Sequence, residues 1–210
     1  MKKYWEFIEE MARNIGDSSY SPMNLYADHR KKLYNHSLNS THHKFPIPRN
    51  KNIEVFHYKN SDGEDNYVTN DHKSKEALHQ SIIKTDETLE KLPFPYQEQN
   101  QVDRVKSTDV LPKDYAKDFI YDHFKESNLP LKSSDTQFLN GHNMWKKLAH
   151  KALNDGHHVY YYDGTTLHKS TKDSVDKHLD SSFGKEERKN GKIISPDYEA
   201  RHMILSKHEL

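Results

Sequence analysis

The sequence predicts an α+β fold, mostly helical, with two short antiparallel β-hairpins that each lead into a helix. Three observations point there. The first is Asp163-Gly164, set between Val159-Tyr160-Tyr161-Tyr162 and Thr165-Thr166-Leu167-His168. An Asp-Gly pair between β-branched and aromatic runs supplies the positive φ angles of a tight hairpin turn. The second is a similar arrangement at Ile53–Tyr58 and Asn66–Thr69, around Asn60-Ser61-Asp62-Gly63-Glu64-Asp65. The third is a series of segments whose apolar residues recur at three and four positions, the spacing of a half-buried helix.

Taken in order, residues 2 to 15 carry Trp5, Ile8, Ala12 and Ile15 on one stripe with Gly16 as the stop, and read as an amphipathic helix. Ser21-Pro22 opens a second helix bearing Met23, Tyr26, Leu33, Tyr34 and Leu38. Residues 39 to 52 read as loop. After the first hairpin, Asn70 or Asp71 caps a helix with Leu78, Ile82, Leu89 and Leu92. Residues 93 to 112, with Pro-Phe-Pro-Tyr and a Gln-Glu-Gln-Asn-Gln run, lack a period and read as a linker between residues 1–92 and residues 113–210, unless the chain is one continuous domain.

In the second part, Tyr115, Phe119, Ile120 and Phe124 mark one helix. Met144, Trp145, Leu148, Ala149, Ala152 and Leu153 mark another that ends at Gly156. The Asp163-Gly164 hairpin follows, then a helix with Val175, Leu179 and Phe183. Ile193-Ile194 reads as a short strand, and Ser195-Pro196 opens a last helix with Tyr198, Met203 and Leu205. The two hairpin-helix units resemble each other, which turn and cap chemistry explains without a duplication.

Composition narrows the function classes. Over 210 residues, Lys+Arg and Asp+Glu balance at 32 each, so no global field draws the chain to a polyanion or an anionic membrane. Hydrophobic residues are 32% and mean hydropathy is -1.13, while aromatics reach 11%, which implies a thin, tyrosine-rich core. The absence of cysteine excludes disulfides, thiolate catalysis and Cys-ligated zinc. No run reaches transmembrane length, and Glu6, Glu9 and Glu10 interrupt what a secretory leader would need to keep apolar. Lys207-His208-Glu209-Leu210 looks like a retrieval signal, but it reads as coincidence without a route into the secretory lumen. The expected location is cytoplasmic, or a host cell for a product delivered without a leader. Abundant Lys, Asn, Tyr and Ile fits an AT-rich bacterial or phage genome.

Histidine, at 16 residues, is the one type whose abundance invites chemistry. The His-Glu-x-x-His spacing of a helical zinc site is absent, so no metal and no cofactor are expected. The acidic turn Asp62-Gly63-Glu64-Asp65 lacks the alternating oxygen ligands of a calcium loop. With Asp163-Gly164 as the centre of a two-residue turn, Tyr162 faces Thr165, Tyr160 faces Leu167 and Val159 faces His168. His157, Val159, Tyr161, Thr166 and His168 then share one side, and His157 and His168 become diagonal neighbours, half a metal site or a general acid-base pair and so the candidate catalytic pair of a His-dependent, metal-assisted hydrolase or nuclease. Tyr160, Tyr162 and Lys169 share the other side, a candidate binding surface for single-stranded nucleic acid, which neutral charge disfavours. The reading that needs least is a non-enzymatic binding or regulatory protein with a protein partner, one acting on a host protein included.

Overall fold

The computed structural model describes residues 27–43, 52–86, 99–133, 139–183, 187–189, 192–194 and 201–210. The amphipathic stretch 2–15 lies outside them. The described chain is α+β but not mostly helical: strand outweighs helix, and nine strands share one mixed sheet. The strands are β1 (Thr41–His43), β2 (Ile53–Lys59), β3 (Asp65–Asp71), β4 (Glu76–Asp86), β5 (Gln99–Ser107), β6 (Leu131–Lys132), β7 (His158–Tyr162), β8 (Leu167–Ser170) and β11 (His202–Ser206). Their order across the sheet is β1-β2-β3-β4-β5-β6-β11-β7-β8. A separate pair joins β9 (Glu187–Lys189) to β10 (Lys192–Ile194). Four helices are described: α1 (Ala27–Ser37), α2 (Tyr115–Glu126), α3 (Leu139–Asn154) and α4 (Val175–Phe183).

Three expectations are corrected here. The segment carrying Leu78 and Ile82 is strand β4, not a helix, so the first hairpin leads into a third strand. A four-residue spacing is even, so it lies on one face of a strand as readily as on one turn of a helix. Residues 77 to 83 are all buried, which erases the alternation that would have marked a strand. The segment bearing Met203 and Leu205 is strand β11, whose five residues are all buried between β6 and β7. The expected connector 93–112 contains β5, whose Gln99, Asn100 and Gln101 are buried although the segment is polar.

Two compact units divide the chain. One comprises residues up to 58 with 66–80 and 106–113. In it α1 lays Leu33 on Val68 and Ala77, with Tyr58 against the edge of that cluster. Asn70 donates to the Ser37 hydroxyl at 2.7 Å, tying β3 to the end of α1. The backbone N–H of His72 donates to Asn52 at 2.8 Å, which fixes β2 and β3 as an antiparallel pair.

The other unit comprises 59–65, 81–105 and 114–210. Its β2–β3 turn is organised by Asn60, whose side-chain oxygen accepts from the N–H groups of Asp62 and Glu64, with Gly63 at φ 79°. The acidic cluster of this turn is thus a turn motif. β5 and β6 run parallel, whereas β6–β11, β11–β7 and β7–β8 are antiparallel. Helix α3 packs against α2, α4, β7 and β11, burying Trp145, Leu148, Ala149 and Ala152 as its periodicity predicts. It ends at Gly156 (φ 83°), where the N–H of His157 donates to the Ala152 carbonyl at 2.9 Å and closes a Schellman cap.

Candidate functional site

The β7–β8 hairpin carries four of the site residues expected from the sequence, with the fifth, His157, immediately before β7, and its turn differs from the expected one by one position. Gly164 does take a positive φ, 100°. The turn centre, however, is Gly164-Thr165, because the Asp163 N–H donates to the Thr166 carbonyl at 3.2 Å. The Asp163 side chain causes the shift. One of its oxygens accepts from the N–H groups of Thr165 and Thr166 and from the Thr165 hydroxyl, each at 2.8 Å. A residue whose carboxylate collects the amides two and three positions on belongs before the turn, not at its centre.

Tyr162 therefore pairs with Leu167, Tyr161 with His168, Tyr160 with Lys169 and Val159 with Ser170. The register moves by two residues, so the expected division of faces holds. The expected meeting of His157 with His168 does not. His168 lies opposite Tyr161, four residues beyond His157, which precedes β7, about 13 Å at strand rise.

The two histidines have different surroundings. His157 packs edge-on against Phe124, with ring centroids 5.3 Å apart, and burial lowers its pKa against the opposing pull of Asp155. His168 donates from Nε2 to Asp163 at 2.8 Å and stacks on Tyr161 at 5.9 Å. That hydrogen bond, then the turn amides, holds the Asp163 carboxyl well below the usual carboxylate range despite partial burial. His178 of α4 completes the cluster, stacked on Tyr161 at 5.4 Å and sharing a 2.7 Å hydrogen bond with the Ser170 hydroxyl. Burial is the chief cause of its lowered pKa, with the neighbouring His168 and Lys177 acting in the same direction. Among the described residues no three or more His, Asp or Glu side chains converge as a closed metal site would require.

The opposite face is also occupied. Tyr160 and Tyr162 are each 3% exposed and form a cluster with Ile204, Leu167 and Leu210. The Tyr162 hydroxyl donates to the Gly164 carbonyl at 2.8 Å, and the Tyr160 hydroxyl accepts from the Leu210 N–H at 2.9 Å. Lys169 pairs with Glu209, which raises its pKa. Neither tyrosine presents a ring for stacking.

Residues Val159 to Tyr162 of β7 are buried, so the open part of the hairpin is β8, with the exposed His168 and Lys169 side chains and its outer edge. β8 closes the strand order among the described residues. Hydrogen-bonded and non-bonded pairs alternate along an antiparallel ladder. Counting from the bonded Asp163–Thr166 pair, His168 and Ser170 turn their backbone groups toward β7, whereas Leu167 and Lys169 turn theirs outward. Sequence reading concentrated on side chains and missed these groups; the strand order reveals them.

A shallow groove of about 740 Å³ runs beside α3, lined by Lys146, Lys147, His150 and Lys151. Its cations are compensated within the chain. Lys147 pairs with Asp114, Lys151 with Asp155 at 3.1 Å, and Lys146 and His150 with Asp176 at 3.0 and 2.9 Å. No described helix is long and apolar enough to cross a membrane. The chain matches no protein-family model, and neither a curated protein nor a solved structure matches it.

Proposed function

We propose that this is a non-enzymatic binding protein that recruits a partner protein by adding an extended segment of it to the edge of the sheet at β8. The observation that carries this reading is the outward row of backbone groups on Leu167 and Lys169, on a strand whose inner neighbour β7 is buried from Val159 to Tyr162. Strand addition draws affinity from main-chain hydrogen bonds and selectivity from the alternate side chains of the added segment. Residues of that segment on the Leu167 side meet an apolar border, and those on the His168 side meet an imidazole and the Asp163 carboxylate. β8 is short and bears a lysine, two features that limit indiscriminate edge pairing. We assign the partner, by this reading, as a protein with a short extended segment, met in the cytoplasm of a bacterium or of a host cell.

The test is selection from a random peptide library on the immobilised protein, followed by Lys169→Pro. Proline removes the outward N–H of Lys169 while leaving the bonds of His168 and Ser170 to β7. Selected peptides should bind with a Kd on the order of micromolar and lose that binding in the variant. Peptides that bind both proteins equally, or a library that yields no saturable binder, would contradict the proposal.

A further inference from the structure

His168 of β8 and His178 of α4 lie against one tyrosine, and each has one ring nitrogen held by the protein and one left open. Nε2 of His168 is 2.8 Å from the Asp163 carboxylate, and Nδ1 of His178 is 2.7 Å from the Ser170 hydroxyl. A carboxylate only accepts, so Nε2 of the neutral His168 ring carries the proton and Nδ1 keeps its lone pair. With Nδ1 of His178 donating to the Ser170 hydroxyl, Nε2 is the lone-pair nitrogen of that ring. The two nitrogens of an imidazole face in nearly opposite directions. Asp163 holds Nε2 of His168 toward the turn, so Nδ1 is aimed back along β8, toward the end where Ser170 binds His178. Tyr161 is stacked with both rings, at 22° and 26°, and fixes their planes. The His168 side chain is 44% exposed, so the pair is reached directly from solvent.

A histidine that ligates a metal donates its other ring N–H to a carboxylate or another oxygen, which sets its tautomer and orientation. Asp163 and Ser170 supply that support here, one to each ring. The spacing also fits. A metal–nitrogen bond of about 2.0–2.1 Å puts a ligating ring's centroid about 3.2 Å from the ion, so two ligands of one ion have centroids about 4.5–6.4 Å apart. The centroids of His168 and His178 are 6.2 Å apart. Closing to a tetrahedral pair takes about 1 Å, which a side-chain rotation of the exposed His168 supplies. No third His, Asp or Glu side chain joins them among the described residues, so such a site is open.

We infer that His168 Nδ1 and His178 Nε2 form an open two-histidine site for a divalent first-row transition ion, with water in the remaining positions. Imidazole nitrogen suits Cu2+, Ni2+ and Zn2+, and Cu2+ is held most tightly of the three. The site does not depend on a strand being added at β8. The competing account is that the two imidazoles only pack on Tyr161, in which case they bind metal no better than any other exposed histidine.

The experiment adds Cu2+ below one equivalent to the full chain and follows its 16 histidines by the imidazole resonances in NMR spectra, with Zn2+ affinity measured by titration calorimetry. His168 and His178 should broaden before any other histidine. Zn2+ should bind with a Kd on the order of 10 μM, and His168→Gln and His178→Gln should each weaken it by at least about ten-fold. Asp163→Asn, which keeps the side chain but removes the charge behind His168, should weaken it several-fold. His168→Gln, at an exposed strand position, keeps the test decisive if the His178 variant fails to fold. Broadening that begins at other histidines, or a Zn2+ affinity unchanged by His168→Gln, would overturn the inference.

Discussion

Burial lowers the pKa of individual histidines in this protein. His79 is wholly enclosed in β4, and burial lowers its pKa to about 3. His142, His157 and His178 are lowered in the same direction, in each case chiefly by burial. A depressed folded-state pKa means that the unfolded chain binds a proton which the folded chain refuses. Stability from these sites is therefore complete above about pH 6.5 and lost as pH falls toward the folded values. Urea unfolding should show stability declining from pH 7 to pH 5, and His79→Gln should remove close to one proton from that slope, about 1.4 kcal/mol per pH unit. An unchanged slope would show that His79 is protonated in the fold. Gly164, at φ 100°, gives a second test. Gly164→Val should cost about 1–2 kcal/mol by chemical denaturation, whereas Thr166→Val should change stability by less than about 0.5 kcal/mol. The positive φ at Gly164 was legible from its residue type. The role of Asp163 was not, because an aspartate fits both the centre of a tight turn and the place before it, and only its side-chain bonds decide.

Elements with one wet face were legible and elements buried on both faces were not. Helices α2, α3 and α4 each keep a polar side, so their apolar residues repeat at helical spacing, and the Gly156 stop is where α3 ends. Strands β4 and β11 have no wet side. In β4 the pair Leu78 and Ile82 fits both periods, and in β11 the run Met203-Ile204-Leu205 has no period at all. β5 was hidden differently: its buried Gln and Asn side chains have the composition of a linker, while Asn100 donates to the Ser127 hydroxyl at 2.8 Å. Trp145, 2% exposed on α3, belongs to the legible part, and Trp145→Ala should cost about 3–5 kcal/mol by chemical denaturation. At the β7–β8 edge, one residue separates two outcomes. His168→Pro removes a donor to β7 and should lower the melting temperature by several degrees, whereas Lys169→Pro should leave it within about two degrees. Equal destabilisation by the two prolines would mean that the alternation of the ladder is not as described.

At the scale of the molecule, the last described strand is inserted between β6 and β7, so the sheet of the second unit is completed by residues more than 60 positions from β6 along the chain. Such non-local pairing is invisible to local sequence patterns and makes for slow folding. It also leaves β8, a local hairpin partner, as the outer strand. The binding account rests on that placement, since the same hairpin in the interior of the sheet would have no outward backbone groups. Amide hydrogen exchange resolved at single residues tests it most directly. In the free protein the N–H groups of Leu167 and Lys169 should exchange rapidly while those of His168 and Ser170 are protected, and a selected peptide should slow Leu167 and Lys169 by at least about a hundred-fold. Four equally protected amides in the free protein, or a bound peptide that leaves Lys169 exchanging as before, would contradict it.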